Sequence, residues 1–210
     1  LNMNHVWRLG YGIIRDCNFI IENVDKYRNE NANKADDIKG QAYALRALIH
    51  FVLTNVFAQS YNFTADASHT GVPYVITADW TGPVSRQTVA EVYTELIDDL
   101  ETAIQLLPNS SNKLSVTRNA AKSLQTRIYL FKGDYLAAKN LAREVALSTP
   151  IMEGADYPSK LFTADETEAL LQLSPSITGV DGGTYDALFA GAYYAFDLYA
   201  ATNDIASLLR

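Results

Sequence analysis

YLFKGDYLAA, residues 129–138, closes one helical pattern and opens another within ten residues. Gly133 permits the tight turn that a helix C-terminus calls for, because without a Cβ it enters left-handed backbone conformations at no steric cost. Ala138 is small enough to let the second helix come close to the first, Tyr135 is expected to wedge between the pair, and Pro150 stops the second helix. The stretch predicts two short antiparallel helices, from about Arg118 to Lys132 and from about Asp134 to Ser148.

Upstream, Thr88 and Glu91 make a T-x-x-E capping box. Val89, Val92, Leu96, Leu100, Ala103 and Leu107 follow at helical steps until Pro108 ends the run. From Val6 to Tyr27, the residues Trp7, Tyr11, Ile14, Asn18, Ile21 and Val24 share one stripe of an amphipathic helix. Residues 31–36 (NANKAD) break the pattern, and Ile38 to Phe57 is then apolar on nearly every side, which marks a central helix. The run from Tyr129 to Pro150 has tetratricopeptide spacing, and Ala103 to Pro108 repeats the end of such a unit. The expected fold is mainly all-α: tetratricopeptide-like antiparallel hairpins stacked as a right-handed solenoid over residues 1–150, with long loops and an insertion at 59–86. Residues 151–210 read as a less regular segment packed on the same domain. It has a short extended run at Ala169 to Leu173, loop chemistry from Ser174 to Gly183, and a last helix capped near Asn203 and Asp204.

A chain of 210 residues is long enough to bury a full core. Its net charge of −7 and the lack of any Lys/Arg block argue against nucleic-acid binding. No apolar run has the length of a membrane span, and no signal-peptide pattern is present. The one cysteine, Cys17, lies in an apolar helical stretch and is expected to be buried. His5, His50 and His69 are too scattered for a metal signature. H-E-x-x-H, glycine-rich phosphate-loop and G-x-S-x-G motifs are all missing, so neither an enzyme nor a cofactor is expected. Glu91, Glu95, Asp98, Asp99 and Glu101 crowd one amphipathic helix as a solvated face rather than as facing glycosidase carboxylates. Asn62-Phe-Thr and Asn109-Ser-Ser match glycosylation sequons, a pattern short enough to arise by chance.

The order of segments resembles the SusD/RagB family of Bacteroidetes surface lipoproteins, which capture glycans or other nutrients for uptake. Trp7, Tyr11, Ile14, Asn18 and the pair Ile20 and Ile21 are similar to its early W-x-x-x-Y-x-x-I-x-x-x-N pattern. Lys39 to Gln59 (KGQAYALRALIHFVLTNVFAQ) resembles its G-x-A-x-x-L-R-A helix, Gly71 to Val75 (GVPYV) its G-V-P segment, and Arg86 to Pro108 its R-x-T-x-x-E-V-Y helix. Arg118 to Ala142 continues the likeness, which covers about residues 5–150 well and the remainder loosely. The resemblance implies a non-catalytic protein at the outer membrane, surface-exposed, that delivers an oligosaccharide to a SusC-like TonB-dependent transporter. The family's lipid anchor, an N-terminal cysteine, is not in this chain, and a start at Leu1 on a chain shorter than usual family members reads as a truncated or processed product.

Within this frame Trp80 is the sharpest glycan-binding candidate, with Asp79, Tyr74 and Tyr61 on the same insertion. Aromatic faces can take the C–H face of a sugar while carboxylates and amides take its hydroxyls. The alternative for each ring is that it plugs the loop onto the helices. Arg46, inside an almost wholly apolar helix, needs a buried acidic partner, and Asp98 or Asp99 is expected. Tyr185, Tyr193, Tyr194 and Tyr199 form a second aromatic-rich region around Asp197. The rival reading of the whole chain is a tetratricopeptide protein-interaction scaffold that binds no sugar.

Overall fold

Asn31, Thr88, Thr117 and Asp134 each sit one residue ahead of a helix, and each turns a side-chain oxygen onto the backbone N–H three residues on. These caps satisfy donors that the first helical turn leaves without partners. They open α2 (Ala32–Phe57), α3 (Val89–Leu106), α4 (Arg118–Lys132) and α5 (Tyr135–Ser148), while α1 covers Met3–Asn23. Short 3-10 turns follow at Val24–Tyr27 and Tyr61–Phe63. The structure, a computed structural model, describes residues 3–79, 81–82, 84–110, 112–151, 154 and 168–171. All of these belong to one compact unit, Leu1–Gln172.

The mainly helical expectation holds, and among the described residues there is no strand, only one isolated bridge between Thr70 and Thr88. The capping box is complete: Thr88 accepts from the Glu91 N–H, and the Glu91 carboxylate accepts from the Thr88 N–H at 2.8 Å. Gly133 takes φ +85° at the end of α4, where the Asp134 N–H reaches back to the Tyr129 carbonyl at 2.9 Å. That turn reverses the chain so that α5 lies back on α4.

Some expectations about the helices need correction. Helix α2 starts at Ala32 and not near Ile38. The NANKAD stretch lacks an apolar stripe, yet the Asn31 cap and the Lys34–Asp37 ion pair at 2.9 Å hold its first turns in helix. Helix α1 ends at Asn23, with a 3-10 turn in place of a further α turn up to Tyr27. Tyr135 does not wedge between helices, being 69% exposed. The buried residues of α5 are Ala138 and Val145, so the contact with α4 begins beyond the helix's first residue.

Helix α2 is central, packing against both α1 and α3, while α4 lies on α3. Phe51 of α2 shares one apolar core with Tyr93, Leu96, Leu100 and Ala103 of α3, Leu107 at the C-cap of α3, and Ile128 of α4. Full burial of each large side chain contributes about 1.5–3 kcal/mol. Cys17 is buried and unpaired by disulfide, as expected. The extended run expected at Ala169 to Leu173 is not seen in residues 169–171, which lie in bends and irregular backbone. Residues 172–173, the 174–183 loop, the Asn203 and Asp204 cap and the Tyr185, Tyr193, Tyr194 and Tyr199 cluster lie outside the described residues.

Candidate functional site

The link between α2 and α3 is pinched at its base. Gly71 donates its N–H to the Gln87 carbonyl at 2.7 Å, and Val89 donates to the His69 carbonyl at 2.9 Å. A Cβ on Gly71 would meet Gln87 O at 3.0 Å and Val92 Cγ2 at 3.1 Å, so any side chain there would push the two limbs of the link apart, and glycine suits their close approach. Arg86 clamps the same point, donating through Nε to the Gly71 carbonyl at 2.6 Å and through Nη2 to the Phe57 carbonyl at 3.2 Å.

Beyond the pinch, residues 73–78 run along α1 and α2, and side chains hold their backbone where another strand would otherwise do so. Tyr11 donates its hydroxyl to the Pro73 carbonyl at 2.8 Å, and Asn18 donates Nδ2 to the carbonyls of Val75 and Thr77, both at 3.0 Å. The Val75 N–H donates to His50 Nε2 at 3.1 Å, and the Ala78 N–H donates to Glu22 Oε1 at 2.9 Å. Two helices thus fix both the height and the register of this segment.

The anchoring side chains are themselves joined through a buried polar cluster. Arg46 donates through Nε to Asp99 Oδ2 at 2.7 Å and through Nη2 to Oδ1 at 2.5 Å, the bidentate pair that an arginine in an apolar helix requires. Its Nη1 donates to Asn18 Oδ1 at 2.7 Å, and the Tyr43 ring lies 5.0 Å below its guanidinium carbon. Tyr74 donates its hydroxyl to Asp99 Oδ2 at 2.6 Å and stacks its ring on His50 with centroids 3.8 Å apart. Burial first, and the Asp99 carboxylate second, push the Tyr74 phenol well above its ordinary range. It therefore stays protonated as a donor.

His50 was not singled out by its sequence neighbourhood, yet it sits at the centre of this cluster, fully buried. A backbone N–H can only donate, so Nε2 carries the lone pair, and Nδ1 donates to the Arg46 carbonyl at 3.0 Å. Burial, reinforced by the Arg46 charge, lowers its pKa from 6.5 to about 3. An unfolded chain protonates this imidazole below pH 6.5 while the native state does not, so its contribution is complete above pH 6.5 and is lost as pH falls toward 3. The expected slope approaches about 1.4 kcal/mol per pH unit. Urea unfolding at pH 6.5 and pH 5, chosen as roughly above most carboxylate titrations, should show the loss in the wild type and a flatter response in His50→Gln. Equal wild-type stability at both pH values would refute the assignment.

On the outer side, the segment and α1 enclose an open groove of about 980 Å³. Trp7, Arg8, Tyr11 and Arg15 line it from α1, and Pro73 to Thr77, Asp79 and Val84 line it from the link. Trp7 packs edge-on against Phe57 at 4.8 Å and tilted against Tyr11 at 4.8 Å, which makes part of the lining aromatic. Of the residues marked out by sequence, Tyr74 and Asp79 come together here. Asp79 is exposed, and its carboxylate accepts from the Thr81 N–H at 2.9 Å and hydroxyl at 2.8 Å, bonds that hold its pKa below the usual carboxylate range. Tyr61 is not part of the groove lining and sits half-buried against Tyr93, ring centroids 4.8 Å apart. Trp80 lies outside the described residues.

The SusD-like family model described as "Starch-binding associating with outer membrane" matches residues 1–130. The chain belongs to the SusD-like family. SusD-like protein P2 of Formosa agariphila is 27% identical over 171 residues, covering 78% of this chain and 31% of that protein. A solved structure of a putative sugar binding protein from Bacteroides vulgatus is 38% identical, with a TM-score of 0.63 over 68% of this chain and 32% of that one. A SusD superfamily protein from Bacteroides thetaiotaomicron is 26% identical, with a TM-score of 0.74 over 80% of this chain and 38% of that one. The chain thus spans about a third of the length of these SusD-like relatives. Among the described residues no helix is long and apolar enough to cross a membrane. Four polar residues from the stretches that resemble the family converge in space: Asn18, Arg46, Tyr74 and Asp99 meet in one cluster.

Proposed function

We propose that this SusD-like chain is part of a non-catalytic glycan-binding protein on the outer-membrane surface, which passes oligosaccharide to a SusC-like TonB-dependent transporter. In this reading the groove between α1 and the 73–84 segment holds the sugar. The observation that carries it is an aromatic-lined groove of about 980 Å³ whose loop wall is already hydrogen-bonded to two helices. A wall fixed in advance loses little conformational freedom when a ligand arrives, and that favours binding.

Trp80 and Asp79 are assigned to the sugar, Tyr74 anchors the loop, and Tyr61 packs the interior. Asp79 is the acidic side chain that lines the groove among the described residues, whereas glycoside hydrolysis ordinarily uses two carboxylates. Titration of the protein with a panel of soluble oligosaccharides, followed by tryptophan fluorescence, tests the reading. Saturable binding is expected, with affinity reduced about tenfold or more in Asp79→Ala and in Trp80→Ala, equivalent to about 1.4 kcal/mol. A panel in which no glycan binds would overturn it.

A further inference from the structure

We propose that the groove selects anionic oligosaccharides, those carrying carboxylate or sulfate groups, over neutral ones; this rests on the reading of the groove as the glycan site. The chain as a whole carries a net charge of −7, yet α1 presents two arginines to the groove, Arg8 and Arg15. They stand seven residues apart, two turns along one face and about 10 Å along the axis. Gly12 falls between them on that face, and a Cβ there would meet nothing within 4 Å among the described residues. Among the described residues the strip between the two arginines is therefore open, long enough for a chain with charges on alternate sugar residues to lie across both.

The exposure of the two arginines supports ligand duty. Arg8 is exposed and makes no hydrogen bond or ion pair among the described residues, so nothing among them accounts for its charge. Arg15 bonds Asp16 Oδ1 through Nε at 2.9 Å, and with both side chains largely exposed such a surface pair contributes little. Asp79, the carboxylate in the lining, is hydrogen-bonded to Thr81. A planar guanidinium matches a carboxylate or sulfate through two parallel N–H bonds, a geometry that a sugar hydroxyl cannot return. Beside them Trp7 and Tyr11 offer ring surface to the less polar faces of the same sugar.

The test is calorimetric titration of the protein with length-matched pairs: oligogalacturonate against neutral galactan oligosaccharides, and sulfated against unsulfated galactan oligosaccharides. The acidic member of each pair should bind about tenfold tighter or more at low salt, with the preference shrinking as ionic strength rises. Arg8→Gln and Arg15→Gln should each bring the ratio of acidic to neutral affinity close to one, while Lys139→Gln, the same charge change on α5, should leave it intact. Neutral sugars binding as tightly as acidic ones, or an acidic preference untouched by both arginine variants, would overturn the proposal and leave the glycan-binding reading standing. If neither class binds, both readings fall together.

Discussion

Asp99→Ala should destabilise the fold by about 3–5 kcal/mol, the cost of leaving a buried charge without its counter-ion. The Arg46 and Asp99 side chains are 6% and 7% exposed, so water cannot take over for the missing carboxylate. Arg46 would keep one acceptor, Asn18 Oδ1, and the face of Tyr43, while two of its donors would lose theirs and the Tyr74 hydroxyl would be left with only the longer bond to the Glu95 carbonyl at 3.3 Å. With a domain's whole stability near 5–15 kcal/mol, such a loss moves the denaturation midpoint far down or leaves little folded protein. Equilibrium urea unfolding reads it directly. Asp99→Asn keeps the shape and one acceptor, and should fall between wild type and alanine, which secures a result even where the alanine variant does not fold. A loss below about 1 kcal/mol in Asp99→Ala would mean that the pair is dispensable.

Tyr74→Ala should cost about 3–5 kcal/mol as well, the range for truncating a large buried aromatic. Its effect has a second part that a plain cavity would not produce. Tyr74 stacks on His50 and bonds Asp99, so its loss removes one attachment of the segment to α2 and one to α3 together. Hydrogen exchange at the Val75 and Ala78 amides, which are bonded to His50 and Glu22, should speed up more than exchange in the middle of α3. Tyr74→Phe keeps the ring and should lose about 1.5–3 kcal/mol, the worth of a hydrogen bond to a charged group. In the Tyr74→Ala, Asp99→Ala double variant the losses should sum to less than their separate values, because each removes part of the same contact. Additive losses together with unaltered exchange would contradict the picture of one coupled cluster.

The helices were legible in the sequence because their stripes recur at helical steps and their ends carry caps: Thr88 with Glu91, and Gly133. Arg46 could be read correctly too, since a charge inside an apolar helix must have an acid, and Asp99 is that acid. Where α2 begins could not be read from apolar spacing, because Asn31 and local ion pairs start it without an apolar stripe. Tyr74 shows a different limit: a tyrosine on a loop looks alike in sequence whether it faces a ligand or the interior, and only burial tells the two apart. His50 and Asn18 escaped notice as anchors because their partners lie 25 to 59 residues away along the chain. The signal available was His50 one helical turn after Arg46 in an apolar helix, a polar residue that burial would oblige to find partners.

The helices grip the 73–78 segment by its main chain, through the Pro73, Val75 and Thr77 carbonyls and the Val75 and Ala78 amides. Main-chain atoms are the same whatever residue carries them. The outward positions Ile76 and Thr77 can therefore change identity, even chemical character, without loosening the attachment. The arrangement works like a tool holder with exchangeable bits, in which new specificities can be tried at the tip while the shank stays seated.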